Sequence, residues 1–212
     1  MRFPKFSLLV FTGCILAGSA WGANFSFTGA LSQDDNVQSF LFSVGAPSNV
    51  TLRTWSYAGG TNAAGTLIAR GGFDTILALF DSTGLLLQQN DDGFGVAADS
   101  VTGAGFDTFL TRSLAIGTYT VTVMQFDNFA VGPNISNGFT RSGANFTAAF
   151  GCTNGQFCDV TGVAAGNNRT ANWAFDILNV QGANEVPRIP EPGSVALVLS
   201  GISAVLIARR RK

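Results

Sequence analysis

The sequence predicts an all-β protein: a single β-sandwich or jelly roll, flanked by an N-terminal signal peptide and a short C-terminal transmembrane helix. Three observations lead to this fold class. Hydroxyl and apolar side chains alternate over residues 118–123, as in a strand with one solvated face. The chain holds 26 glycines and 19 phenylalanines, a composition that favours strands and tight turns. Outside the two chain ends, no stretch carries a helical pattern of apolar residues.

Short strands separated by turns account for most of the central region. The predicted strands cover residues 25–28, 40–44, 50–57, 75–80, 118–123 and 172–177. A tight turn at residues 81–84 predicts a hairpin between Phe80 and residues 85–87. Many short strands of this kind imply packed sheets, and we expect the sandwich to occupy residues 23–182, enough chain to bury a normal core.

Charge is unevenly distributed along the chain. Residues 23–186 contain five arginines, no lysine and twelve acidic residues, which gives a net charge of −7. A nucleic-acid-binding protein is expected to show a basic patch, so nucleic acid is not an expected partner. The chain has no His, and so lacks the commonest general base. The carboxylates that remain lie mostly in turns, and we expect no enzymatic activity.

The N-terminus has the organisation of a secretory signal peptide. Two basic residues precede an apolar run at residues 6–17, and Ala20 and Gly22 supply the small residues of a cleavage site. We therefore predict a signal peptide at residues 1–22. The alternatives are an uncleaved N-terminal helix and a lipoprotein signal ending at Cys14, whose preceding residues make a poor lipobox.

The C-terminus combines three features in order. A linker at residues 183–193 is stiffened by prolines. The uncharged run at residues 194–208 predicts a transmembrane helix, although it is shorter than the roughly 20 residues of an untilted span. The basic tail at residues 209–212 marks a cytoplasmic end. The residues of this predicted sorting signal are Pro190, Glu191, Pro192, Gly193, Arg209, Arg210, Arg211 and Lys212.

This arrangement resembles the PEP-CTERM sorting signal of Gram-negative bacteria over residues 186–212. The resemblance implies export, a temporary anchor in the inner membrane, and processing near the motif by an exosortase, with the secretion machinery as a further partner. It also implies a link to extracellular polysaccharide or biofilm matrix, and a final location at the cell surface or outside the cell. An ordinary tail anchor is the alternative, but it gives no reason for the P-E-P stretch.

Three short motifs follow one another in the central domain: Gly-Gly-Phe-Asp at residues 71–74, Phe-Asp-x-x-Gly at 80–84 and Asn-Asp-Asp-Gly at 90–93. Their order resembles the bacterial pre-peptidase C-terminal domain, a jelly-roll module of secreted hydrolases. It is closer still to a group of PEP-CTERM proteins that carry the same motif series. The resemblance spans most of residues 25–180 and implies a jelly roll, here without an attached hydrolase.

The four letters Gly-Phe-Asp-Thr occur twice, at residues 72–75 and 105–108, each time followed by apolar residues. The echo is too short to establish a repeat. We interpret both segments as a Gly turn and a capping Asp at the beginning of a strand.

Cys152 and Cys158 are the cysteines that remain after signal cleavage, and they lie in a loop rich in Gly and Asn. Oxidation is favoured in an exported protein, so we predict a disulfide between them. Two cysteines without His make a poor metal site.

Asn90, Asp91 and Asp92 form the cluster most like a ligand-binding site. Ca²⁺ binds oxygen from carboxylates, amides and carbonyls, and the resemblance to jelly-roll modules adds to this hypothesis. The full set of candidate calcium ligands is Asp34, Asp35, Asn90, Asp91, Asp92 and Asp99. The alternative is that these residues simply form turns.

Three functional hypotheses follow. The leading one is a non-catalytic structural or binding protein of the cell surface or biofilm matrix. The second is a calcium-dependent carbohydrate-binding module, with Trp55, Tyr57 and Trp173 as candidates for stacking on sugars. The third is a small secreted hydrolase that uses paired carboxylates.

Overall fold

The computed structural model describes residues 22–141, 143, 145–153, 155–160 and 167–187. Nearly all of the regular structure in these ranges is β-strand. The strands are β1 (Ala23–Ala30), β2 (Val37–Val44), β3 (Ser48–Thr54), β4 (Gly60–Thr61), β5 (Leu67–Ile68), β6 (Thr75–Phe80), β7 (Leu86–Asp91), β8 (Phe109–Leu114), β9 (Gly117–Gln125), β10 (Asn172–Val180) and β11 (Gly182–Val186). Two short 3-10 turns cover Ile135–Asn137 and Phe146–Phe150.

Two antiparallel sheets pack face to face, which confirms the predicted β-sandwich. One sheet has the strand order β1-β10-β3-β8 and the other β11-β2-β9-β6-β7, while β4 and β5 pair separately. Alternate residues of β2 and β3 enter the core, as the period-two pattern predicts. On β2, Phe40, Phe42 and Val44 are buried, and they pack with Phe175 and Ile177 of β10 in the facing sheet.

The register of the five-stranded sheet defines its two ends. β2 and β6 both start, and β9 ends, at what we call the upper end, because Val37 pairs with Met124 and Thr75 with Gln125. β11 starts at the lower end and runs upward until Val186 pairs with Ser39.

Additional chain covers the outer faces of both sheets. Every residue of β6 is buried, because Ile76 and Phe80 pack outward against Ala130 from the loop after β9. On the other sheet, Asp176 accepts hydrogen bonds from Trp55 Nε1 at 2.7 Å and from the Ala63 nitrogen at 2.8 Å. These bonds fasten the β4–β5 hairpin across the sheet.

The structure differs from two sequence predictions. The strand predicted over residues 50–57 ends at Thr54, because the backbone of Ser56–Ala58 turns to donate hydrogen bonds to Asp107. The sandwich continues beyond the predicted boundary at residue 182: β11 pairs with β2 as far as Val186, so the first residues of the predicted linker are sheet. The hairpin between β6 and β7 is confirmed.

The P-E-P motif, residues 194–208 and the tail at 209–212 lie outside the described residues, as does the predicted signal peptide apart from Gly22. Within the described ranges, no helix has the length and apolar character needed to cross a membrane.

Candidate functional site: an acidic cluster at the upper end

Three carboxylates meet at the upper end of the five-stranded sheet. Asp74 immediately precedes β6, Asp91 is the last residue of β7, and Asp92 follows it. Because the strands are antiparallel and Ile76 pairs with Asp91, the start of β6 lies beside the end of β7. One carboxylate oxygen from each aspartate lies within 4.8 Å of the other two. We call Asp74, Asp91 and Asp92 the acidic cluster.

The acidic cluster lacks hydrogen-bond donors. The Oδ1 atoms of Asp74, Asp91 and Asp92 are buried, and no described residue donates a hydrogen bond to any of them. Asp74 as a whole is only 4% exposed. A buried, ionised carboxylate without a donor or counter-charge is strongly disfavoured, so such a group must take up a proton or bind a cation.

Burial is the main reason why the cluster holds its protons tightly. Burial, and then repulsion from Asp91 and Asp92, raise the pKa of Asp74 well above its usual range. Burial and then repulsion from Asp92 and Asp127 raise the pKa of Asp91 to about 7. Burial and repulsion from Asp107 raise the pKa of Asp92. No described basic residue counters these shifts.

The protein itself holds the loop that carries the cluster. Asp92 has a left-handed backbone with a φ of 62°, which is uncommon for a residue with a Cβ. Asn90 braces this turn, because its Nδ2 donates to the carbonyl oxygens of Asp92 and Phe109, both at 2.8 Å. Gly93 lies so close to the next strand that a Cβ there would come within 2.7 Å of the Phe109 nitrogen.

Oxygen ligands of this kind suit hard cations. Ca²⁺ binds roughly six to eight oxygens, whereas zinc sites are built mainly from Cys and His. The chain contains no His, and Cys152 and Cys158 are consumed in a disulfide. The residues present therefore fit Ca²⁺ or a chemically similar cation, with other oxygens completing the coordination.

Asp34 and Asp35, both predicted as calcium ligands, hold another loop. Oδ1 of Asp34 accepts from the Asn145 nitrogen at 2.7 Å, and Oδ2 accepts from the Thr147 nitrogen at 2.9 Å. Oδ2 of Asp35 accepts from the Gly143 nitrogen at 2.7 Å. Neither carboxylate belongs to the acidic cluster.

Asp99 belongs to a network with arginines. Arg70 donates from Nε and Nη2 to the two oxygens of Asp99, at 2.5 and 2.7 Å. Arg169 pairs with Asp159, with Nε 3.0 Å from Oδ2, and its guanidinium lies 3.5 Å above the centre of the Tyr57 ring. We call Arg70, Asp99, Asp159 and Arg169 the arginine network. Both arginines line a cleft of about 510 Å³.

Sequence reasoning does not select Asp74, because it treats this residue as a strand cap. The hairpin gives a partial signal: counting outward from the turn at residues 81–84 places Asp74 toward the end of β7, but the register shift at Leu79 and Phe80 obscures the exact pairing. Of the predicted ligands, the structure places Asp91 and Asp92 in the cluster and uses the side-chain nitrogen of Asn90 to brace it.

The predicted disulfide is confirmed. Cys152 and Cys158 are bonded, and their Cα atoms lie 5.3 Å apart, within the usual range for a disulfide.

The aromatic residues considered for sugar stacking are largely inaccessible. Tyr57 and Trp173 are core residues, at 0% and 3% exposure. Trp55 is partly buried, and the guanidinium of Arg53 covers its ring at 3.8 Å from the centroid.

The chain was compared with family models, curated proteins and solved structures. No family model matches the chain, and no curated protein matches it. Among solved structures, the chain is similar to the pre-peptidase C-terminal domain of a collagenase from Bacillus anthracis, with a TM-score of 0.34 and 10% sequence identity. The match covers 76% of this chain and 90% of that domain.

Proposed function

We propose that this chain is an exported, non-catalytic structural or binding protein of the bacterial cell surface or extracellular matrix. The observation that carries the proposal is the order of features at the C-terminus: a P-E-P stretch, an uncharged run at residues 194–208 and a basic tail. The Cys152–Cys158 disulfide supports export, because disulfides persist in oxidising compartments outside the cytoplasm.

The sorting signal works through three physical properties. The basic tail holds its end in the cytoplasm, and the short apolar run spans the inner membrane only weakly. Prolines on both sides of Glu191 disfavour helix, as expected of a segment that an exosortase must reach at the outer face of the membrane. Processing there releases the β-sandwich for display at the surface or in an extracellular polysaccharide matrix.

A matched pair of variants tests the sorting step. Glu191→Ala changes the P-E-P motif, whereas Glu185→Ala makes the same change at an exposed position on β11. We expect Glu191→Ala to accumulate uncleaved in the inner membrane and Glu185→Ala to be processed normally. Mass spectrometry of the surface fraction reads the outcome. Released protein that still contains intact peptides from Glu191 into residues 195–208 would contradict the proposal.

A non-catalytic role agrees with how the polar side chains are used. Asp34 fixes the loop around Asn145, Asp107 fixes the chain after β3, and Asp176 fixes the β4–β5 hairpin. Each of these carboxylates is buried under the segment that it holds. They serve to keep long loops rigid on the sandwich.

Carbohydrate binding is a second candidate, favoured by the cleft beside the arginine network. Its lining includes Arg70, Thr102 and Asn167, whose polar groups suit the hydroxyls or carboxylates of a polysaccharide. A glycan array tests this candidate. We expect Asn167→Ala to weaken any binding at the cleft, whereas Asn184→Ala, at an exposed position on β11, leaves it unchanged.

A further inference from the structure

The geometry of the acidic cluster supports an inference that does not depend on how the chain is sorted. We infer that Asp74, Asp91 and Asp92 bind one Ca²⁺ ion, which fastens the start of β6 to the end of β7. The inference rests on the missing counter-charge, the spacing of the oxygens and the way the loop is held.

Within the part of the chain that the structure describes, the acidic cluster lacks a counter-charge or donor of the kind that the other buried aspartates have. Other buried aspartates have donors: Asp99 has Arg70, and Asp107 accepts from the nitrogens of Ser56, Tyr57 and Ala58. Among the described residues, the buried aspartate oxygens that lack a hydrogen-bond partner are the three Oδ1 atoms of the acidic cluster. A bound cation would supply the positive charge that the described residues do not provide to these three carboxylates.

Asp74 provides the observation that separates this cluster from an ordinary acidic surface patch. Exposed carboxylates are solvated by water and need no ligand, but Asp74 is 96% buried, since its exposure is 4%. Its carboxylate faces those of Asp91 and Asp92 within 4.8 Å. A buried, unpartnered carboxylate directed at two others is the arrangement of a cation site.

The spacing allows one Ca²⁺ ion, and the number of carboxylates favours Ca²⁺ among the hard cations. Two oxygens bound to one Ca²⁺ at about 2.4 Å lie at most about 4.8 Å apart, so the cluster fits around one ion. Mg²⁺ demands a near-octahedral shell at about 2.1 Å and usually keeps several of its waters, which makes it a poorer match for a site built from three protein carboxylates. Three carboxylates also exceed the charge of a divalent ion, which favours retention of the ion.

Solvent can complete the coordination shell. Asp74 closes the inner side, whereas Asp91 and Asp92 are only partly buried. Water molecules and carbonyl oxygens can therefore approach from the outer side. A site that shares its shell with water is expected to bind Ca²⁺ with a Kd of about 10⁻⁴–10⁻³ M, the range of extracellular calcium modules.

Contacts within the protein hold the loop in place even when no ion is bound. The Asn90 bridge and the close approach of Gly93 to Phe109 both hold the turn at Asp92. Since the backbone is already fixed, little ordering opposes the binding of an ion. The ion then links the two strands of the hairpin and the loop that follows them.

Calorimetry and thermal melting of the purified full-length chain test the inference at pH 8, after removal of metal with a chelator. We expect one Ca²⁺ per chain. About 10 mM Ca²⁺ should raise Tm by roughly 3–10 °C, because ligand binding stabilises by mass action. Mg²⁺ at the same concentration should give a smaller shift.

Two variants from the same hairpin make the test specific. The double variant Asp91→Asn, Asp92→Asn should lose at least tenfold in Ca²⁺ affinity. Asp81→Asn changes a partly buried aspartate in the turn at the opposite end of the hairpin and should bind like the unaltered chain. Identical melts with and without Ca²⁺, together with no heat of binding, would overturn the inference. Unchanged affinity in the double variant would also overturn it.

Discussion

The two Gly-Phe-Asp-Thr segments have the same four residues and opposite surroundings. Asp107 is 3% exposed and accepts hydrogen bonds from the nitrogens of Ser56, Tyr57 and Ala58, at 2.5, 3.1 and 2.9 Å. Asp74 is equally buried, at 4% exposure, and its Oδ1 has no partner among the described residues. The same short motif therefore contains an aspartate that anchors a loop at Asp107, and an aspartate without a described hydrogen-bond donor to its Oδ1 at Asp74.

The two segments also meet inside the sandwich. Thr75 and Thr108 lie 3.1 Å apart through their Oγ1 atoms, and Thr108 Oγ1 donates to the Thr75 carbonyl. The Thr75 nitrogen donates to the Phe106 carbonyl at 3.3 Å. The difference between the aspartates thus arises outside this shared junction: the chain after β3 wraps around Asp107, whereas two more carboxylates face Asp74.

The largest expected effect is the loss of the Asp107 anchor. Asp107→Ala leaves three backbone donors without an acceptor, two of them buried and that of Ala58 partly buried, and should destabilise the chain by about 3–5 kcal/mol. Asp107→Asn retains one acceptor oxygen and should cost less. Chemical denaturation measures both. A loss below about 1 kcal/mol for Asp107→Ala would mean that the anchor matters little.

The equivalent change in the other segment should have the opposite sign. Without Ca²⁺ at neutral pH, Asp74→Asn removes a buried carboxylate that has no counter-charge, and should stabilise the chain by about 1–3 kcal/mol. In saturating Ca²⁺ the same variant should be less stable than the unaltered chain. Denaturation with chelator and with Ca²⁺ separates the two. Destabilisation in both conditions would show that Asp74 is an anchor like Asp107.

The pH dependence should differ between the acidic cluster and the arginine network. The pKa of Asp91 is raised to about 7, so the Ca²⁺-free folded state binds protons more tightly than the unfolded chain. Its stability should therefore fall as pH rises from about 4 to about 7. The other acidic groups that act on the cluster are Asp107, Asp127 and Asp159.

Within the arginine network, Asp99 should respond in the reverse direction, whereas burial raises the pKa of Asp159. Burial opposes the ionisation of Asp99, but hydrogen bonds from Arg70, Thr102 and Val101 outweigh it and lower the pKa of Asp99. Its contribution is present above the usual Asp pKa and is lost in stronger acid. Melting curves from pH 3 to pH 8, with and without Ca²⁺, test both directions. A Ca²⁺-free chain whose stability rises between pH 4 and 7 would contradict the assignment for the cluster.

The smallest expected effect concerns the junction of the two segments. Thr75→Val and Thr108→Val should each destabilise by roughly 1 kcal/mol, because each removes a buried hydroxyl from a shared set of hydrogen bonds. The double variant should cost less than the sum of the single ones, since the hydroxyls bond to each other. A double-mutant cycle measures this coupling, and simple additivity would show that the two segments are independent.

The fold could be predicted from the sequence because strand patterning is local. The alternation in β9 and the turn at residues 81–84 give the correct strand and hairpin without knowledge of distant contacts. The end of β3 at Thr54 could not be predicted in this way. It depends on Asp107, about fifty residues away in the chain, drawing the backbone of Ser56 and its neighbours out of the sheet.

Prediction of the candidate site was limited for the same reason. Asp91 and Asp92 are adjacent in sequence and stand out as a pair, whereas Asp74 joins them only through the pairing of β6 with β7. That pairing contains a register shift at Leu79 and Phe80, which obscures simple counting from the turn. The partners of Asp34 and Asp99 come from other loops, and no local pattern distinguishes an aspartate that holds a loop from one that lacks a partner.

Because β11 runs toward the upper end, the chain enters and leaves the sandwich at opposite ends. Ala23 pairs with Val180 at the lower end, whereas β11 leaves the sandwich toward the upper end, where Val186 pairs with Ser39. The acidic cluster lies at that same end. Under the proposed attachment through the chain beyond Val186, the start of β1 would lie far from the point of attachment and the acidic cluster would lie near it.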